Sequence, residues 1–274
     1  MMKTSLTGLS AASKELSVIS NNLANAGTAG FKRSSAHFQD LMPGDDAGRP
    51  GLEVGRGTRV IDVSRSSAQG VLTETAGSLD LAISGPGYFV FGSANSGEND
   101  PSLLYSRAGR MVMNDAGRIV DSDGNALLGF KAVSGNVVGG DPQPIDLLSV
   151  VGGKAASIAG VTISPQGKVI VTTNDGRNLP VATLALADFP NGNGLKNVRG
   201  SKLAESVTSG TARYAVPGGD GVGNVKQGVL EASNVDIADE LLGMVRAQQA
   251  YNGNARALQT QSEMLRTATE TLIR

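Results

Sequence analysis

At 274 residues the chain can bury one or two cores without a staple, and it has no cysteine, which excludes disulfides, thiolate zinc sites and thiol nucleophiles. Its 24 basic and 25 acidic side chains nearly cancel, and only 4% of residues are aromatic, so it lacks the basic face and stacking rings of a nucleic-acid binder. No apolar run reaches the roughly 18 residues that a membrane-spanning helix needs.

The N-terminus, Met1-Met2-Lys3-Thr4-Ser5-Leu6, is interrupted by polar residues and has no apolar core followed by a small-residue cleavage site. It does not read as a cleaved signal peptide, so an exported chain would need another route. Met2, Leu9, Leu16 and Leu23 then recur every seven residues, with Ala12 and Ile19 at the intermediate heptad position. This spacing predicts a helix from about Thr4 to Asn25, ended by the residue types of Asn25-Ala26-Gly27.

The middle changes to short β-branched runs with period two: Leu79–Ile83, Tyr88–Phe91, Val161–Ile163, Lys168–Val171 and Val181–Leu186. Turn pairs separate several of these runs, at Ala116-Gly117, Asp123-Gly124, Gln166-Gly167 and Asp175-Gly176. The 37 glycines, well above the usual share of about 7%, fit many tight turns. An antiparallel β domain is expected, interrupted by flexible stretches near Met42–Gly51, Gly92–Asp100 and Gly218–Gly223.

A second helix is expected from about Val235 to the end, roughly 55–60 Å long at 1.5 Å per residue. Leu241, Met244, Gln248, Tyr251, Ala255, Leu258, Ser262, Leu265, Thr269 and Leu272 follow steps of three and four. Ser233-Asn234-Val235-Asp236 supplies N-cap candidates and early acidic charge. Charges along this helix, Glu240 and Arg246 among them, read as a solvated face. Neither terminal helix carries enough apolar surface to stand alone, so each needs a partner along its length, either the other helix in an intramolecular hairpin covering a sheet or, as the small and polar seam positions suggest, helices of other copies. The fold class is α+β: long terminal helices in a coiled-coil-like inner domain (1–41 and 229–274) and a mainly antiparallel β domain (42–228).

Signals for chemistry are weak. His37 is the one histidine, and no carboxylate cluster or nucleophile elbow accompanies it. Asp121-Ser122-Asp123-Gly124-Asn125 resembles the start of a calcium loop but lacks the third acidic step and the terminal glutamate, and reads as a hairpin turn. Gly219–Gly223 lacks the G-K-[ST] of a phosphate cradle and reads as a linker. No catalytic residue, metal or cofactor is expected. The competing reading, a secreted β-domain hydrolase, would have to rest on His37.

Local wording points further. Ser20-Asn21-Asn22-Leu23-Ala24-Asn25 followed by Thr28-Ala29-Gly30-Phe31-Lys32-Arg33 resembles the N-terminal signature of bacterial flagellar rod and hook proteins. Leu230–Asp236, Glu240-Leu241 and Met244–Tyr251 resemble that family's C-terminal signature. Ser78–Phe89 and Leu104–Gly109 resemble the opening of its β domain. The resemblance implies a non-enzymatic subunit exported unfolded by the flagellar export apparatus. It further implies polymerisation with copies of itself and contact with neighbouring rod, hook or junction proteins, with the terminal helices forming an inner tube. On that reading the assembly interface includes Leu9, Leu16, Ile19, Asn22, Leu23, Asn25, Ser233, Asn234, Leu241, Met244, Gln248, Tyr251, Leu258 and Leu265. The wording of Leu230–Asp236, Tyr105-Ser106-Arg107 and Asn254–Gln261 favours the hook type. The short chain, lacking an extra outer domain, is more like a distal rod protein, although the Met42–Leu52 segment is shorter than the insertion typical of those.

Overall fold

The computed structural model describes residues 2–41, 55–92, 103–133, 136–137, 141–149, 158–219 and 221–272. The expected flexible stretch Met42–Gly51 and the Met42–Leu52 insertion lie outside these residues, as does nearly all of Gly92–Asp100. Two compact units divide the chain. One comprises residues 1–26, 32–66 and 235–274, the other 27–31 and 67–234.

The first unit holds both long helices, α1 (Met2–Ala24) and α2 (Ile237–Leu272), and a two-stranded antiparallel pair, β1 (Ser34–Asp40) with β2 (Thr58–Arg65). Asp236 caps α2: its Oδ1 accepts from the backbone N–H groups of Ala238 (2.8 Å) and Asp239 (3.3 Å), two of the donors that a helix start leaves unpaired. Asp239 and Glu240 follow in the first turn, where negative charge suits the helix dipole.

The second unit is built on one large antiparallel sheet. Its main path runs Ile158–Ile163, Lys168–Thr173, Asn178–Leu184, Ala126–Val133, Tyr88–Gly92, Leu104–Ser106, Lys202–Ala204 and Lys196–Arg199. The period-two pattern is visible in Tyr88–Gly92: Phe89 and Phe91 enter one apolar cluster with Leu81, Ile119, Leu127 and Leu184, while Val90 enters another with Tyr105, Phe189 and Leu203. The Gln166-Gly167 and Asp175-Gly176 pairs turn the chain between consecutive strands, and both glycines have the positive φ that such turns require (75° and 74°).

One expectation changes. Gly218–Gly223 is not loose at its ends: Gly218 N–H donates to Gly223 O (3.1 Å), and Gly223 N–H donates to Pro86 O (2.8 Å). Val222 is buried in the main core, which explains why the turn is held down. The calcium-like segment is the expected hairpin turn, and its carboxylates are met by a lysine of the chain itself. Lys202 Nζ lies 2.7 Å from Asp121 Oδ2 and 2.5 Å from Asp123 Oδ2, while Asp121 Oδ1 accepts from the backbone of Asp123 and Asn125 (both 2.9 Å) and shapes the hairpin turn.

A buried ion pair joins the distant sequence motifs of this unit. Arg107 Nη1 meets Glu231 Oε2 at 3.2 Å with both side chains buried, and Glu231 Oε1 accepts from Gly70 N–H (2.9 Å). Arg107 also donates to Gly85 O (2.7 Å) and its guanidinium lies over the Tyr88 ring. Removing either partner strands the other charge in the interior. Arg107→Met or Glu231→Ala is therefore expected to lower stability by about 3–5 kcal/mol, measured by urea unfolding of the whole chain.

Candidate assembly interface

In the first unit α1 and α2 run antiparallel with a constant register. Asn22 meets Glu240, Gly243 approaches Ile19, and Gly8 lies against Asn254. The stripe of α1 that faces α2 is made mainly of small residues: Gly8, Ala11, Ala12 and Ile19, with Ala247 buried opposite. A side chain at Gly8 would meet the Asn254 amide at about 2.8 Å, so the amide would have to move aside. Small contact residues let the helix axes come close, and closeness raises the number of dispersion contacts per turn.

One end of the pairing is fixed by a polar network. The Asn22 side chain, 1% exposed, donates from Nδ2 to Ser34 O (2.8 Å) and accepts at Oδ1 from Ser34 N–H (2.9 Å), as a neighbouring strand would. Its Nδ2 also donates to Glu240 Oε2 (3.2 Å), and Arg33 Nε donates to Glu240 Oε1 (2.5 Å). Glu240 is 1% exposed, which corrects its reading as part of a solvated face. A buried carboxylate is tolerated there because charge-assisted hydrogen bonds meet both oxygens. Glu240, Arg33, Ser34 and Ala247 carry this geometry; Glu240, Arg33 and Ala247 lie in the quoted signatures, but their role in the helix pair was not read from the sequence. The three- and four-residue steps from Glu240 through Gly243 to Ala247 were the available signal, disguised by the charge of the first residue.

The residues expected at an interface fall into four groups. Ile19 and Asn22 are buried against α2. Leu9, Leu16, Leu23, Asn25, Met244 and Leu258 are half-buried, with Asn25 Nδ2 bonded back to Asn21 O (2.9 Å) at the end of α1. Leu241, Gln248, Tyr251 and Leu265 are exposed. Ser233 and Asn234 belong to the second unit, where Asn234 Nδ2 donates to Ala68 O (2.9 Å). Leu6, Leu242 and Val245 add further exposed apolar surface on the two helices.

His37 lies on exposed β1 with Nε2 2.6 Å from Ser64 Oγ across the strand pair. Asp62, directly opposite His37, accepts at Oδ1 from Val63 N–H (2.7 Å), and no carboxylate is hydrogen-bonded to the imidazole among the described residues. A serine and histidine alone, on an open surface without an orienting acid or oxyanion donors, do not make an acyl-transfer site. Also among the described residues, no group of three His, Asp or Glu side chains converges as metal ligands would, and no helix is long and apolar enough to cross a membrane.

If the Asn22 network fixes the helix pair, Asn22→Ala should lower stability by about 1–3 kcal/mol by stranding the Ser34 backbone and one Glu240 oxygen. Asn22→Asp should cost more, because it sets a second carboxylate against Glu240. Urea unfolding followed by helical circular dichroism gives both values.

Comparison with known proteins agrees with this layout from end to end. Residues 2–32 match the model of the flagella basal body rod protein family, residues 82–171 that of the flagellar hook protein FlgE/F/G D1 domain, and residues 226–271 that of the flagellar basal body rod FlgEFG protein C-terminal. The chain is 34% identical to the flagellar basal-body rod protein FlgG of Caulobacter vibrioides over 98% of each chain. It is 32% identical to FlgG of Bacillus subtilis over 95% of this chain and 94% of the other. Its likeness to the flagellar hook protein FlgE of Brucella suis is weaker, 25% over 97% of each, in an alignment stretched to 392 positions.

Proposed function

Because this chain belongs to the family of flagellar basal-body rod and hook proteins, a structural family without enzymatic activity that resides in the basal body and hook, we propose that it is a subunit of the rod, of the distal type. The observation that carries the choice is full-length likeness. The alignment with the Caulobacter rod protein occupies 283 positions, close to the 274 residues of the chain, whereas the hook protein requires 392. The hook type, favoured by local motif wording, becomes the second reading. Short motifs shared by both branches weigh less than the absence of the long insertion.

In this reading copies polymerise through the terminal helices, which pack in a coiled-coil-like inner layer. Support comes from the apolar side chains that one copy leaves in water. Leu241 is 47% exposed, and Leu242, Val245 and Leu6 are more so. Burying such residues against neighbours stabilises by about 25 cal/mol per Å² of apolar surface. Head-to-tail contacts of this kind do not close on themselves and so build an open helical shaft that transmits torque. Neighbouring axial proteins at each end and the flagellar export apparatus complete the expected partners.

Leu241→Asp tests the reading. The change should leave the stability of the free chain within about 0.5 kcal/mol, since the side chain is already exposed. It should nevertheless abolish rod assembly and motility, because a carboxylate in a closed apolar contact is costly. Normal motility of the variant would sink the interface assignment. An epitope label on the intact chain then separates rod from hook: label confined to the periplasmic shaft of purified basal bodies is expected, and label beyond the outer membrane would restore the hook type.

A further inference from the structure

The large sheet of the second unit ends on the strand Ile158–Ile163, which among the described residues has one strand neighbour, Lys168–Thr173. Its run, Ile158-Ala159-Gly160-Val161-Thr162-Ile163, is mostly β-branched and has neither a charge nor a proline. An edge of this composition is a template for strand addition by another chain, and native proteins blunt such edges with bulges, charge, proline or a covering group. A register shift between Ile158 and Gly160 breaks the start of this edge. The regular part that remains is Val161–Ile163.

The outward peptide groups of that part are taken by a side chain. Gln227 Oε1 accepts from Ile163 N–H (2.9 Å), and Gln227 Nε2 donates to Val161 O (2.8 Å). A parallel strand bonds to its neighbour in the same manner, one peptide unit accepting from the residue after its opposite number and donating to the residue before. The Gln227 amide therefore stands where one peptide of an added strand would stand, opposite Thr162. Its second Nε2 hydrogen goes to Ser78 O (2.6 Å), so only one orientation of the amide serves. Turned over, it would set N–H against the Ile163 N–H and its oxygen against two carbonyls.

Gln227 is itself held from behind. It closes the strand Asn224–Gln227, whose backbone pairs with Leu81–Ser84 on its other side. Val225 of that strand is buried in the main core, and its N–H donates to Pro165 O (3.1 Å), just beyond the sheet edge. We infer that Gln227 is an edge stop, which closes the Val161–Ile163 edge to the same strand of a second copy. That occupant follows from the composition: an uncharged run can pair antiparallel with itself about a two-fold axis without like charges meeting. The inference goes beyond the proposed rod function and does not depend on it, since it concerns a route of association that the chain avoids.

Gln227→Ala in the dissociated full-length chain removes the stop. Sedimentation velocity, run beside the unsubstituted chain, should show self-association at about tenfold lower concentration. Adding Thr162→Lys should restore the unsubstituted behaviour, because Thr162 is exposed and lysines on an edge strand repel an incoming copy. A purely structural role would lower the stability of Gln227→Ala without moving association. Unchanged association, or a gain that Thr162→Lys does not reverse, overturns the inference. A second measurement needs no variant: in the unsubstituted chain the Ile163 amide should exchange with solvent about a hundredfold or more slowly than an unprotected amide. Weaker protection than that overturns the inference as well, because the edge would then be open.

Discussion

The antiparallel contact between α1 and α2 is the constraint on which the functional account depends. It is made by small side chains, with Gly8, Ala11, Ala12 and Ala247 where a globular core would place leucines. That choice has two physical effects. It brings the helices close, and it leaves the larger apolar residues, Leu6, Leu241, Leu242 and Leu265 among them, outside the pair. Asn22, held to Ser34 and to Glu240, fixes the register, so the outward residues are presented as ordered stripes. A helix pair with a small-residue interior leaves apolar side chains in water in one copy, which is what supports the proposal that further copies cover them.

The second unit shows that the short family motifs are structural joints. Arg107 from the Tyr105-Ser106-Arg107 segment and Glu231 from the Leu230–Asp236 segment meet as a buried pair. The same glutamate receives the Gly70 N–H, and its own carbonyl receives Gly30 N–H, from the second half of the N-terminal signature. Motifs from the start, middle and end of the chain thus converge within one unit. A polar cluster of this type contributes little net stability compared with an apolar one, but it penalises every arrangement in which a member is unpaired.

Much of this was legible from residue spacing. The expected helices, Thr4–Asn25 and Val235 onward, correspond to Met2–Ala24 and Ile237–Leu272, because heptad spacing and Asp236 as a cap are local signals. The turns at Gly167 and Gly176 were legible for the same reason. What escaped depends on contacts between distant segments. Periodicity finds stripes but does not say which stripe faces the partner helix, and α1 carries two interleaved ones. Glu240 looked solvated because its partners, Asn22 and Arg33, lie more than two hundred residues away. Gly218–Gly223 looked loose because its anchor, Pro86, lies in a distant bend between two strands. Motif wording favoured the hook type whereas full-length likeness supports the rod reading, because short motifs shared by both branches say nothing about the length of chain between them.

Amide hydrogen exchange along α2, compared between the dissociated chain and assembled rods, tests most directly the claim that the terminal helices are completed by other copies. Exchange reports local opening, and a helix without a partner opens readily. The account predicts modest protection in residues 241–258 of the free chain, little in 261–272, and strong protection of both in the rod. Equal protection of 261–272 in the two states would contradict it, because the helix would then gain nothing from its neighbours.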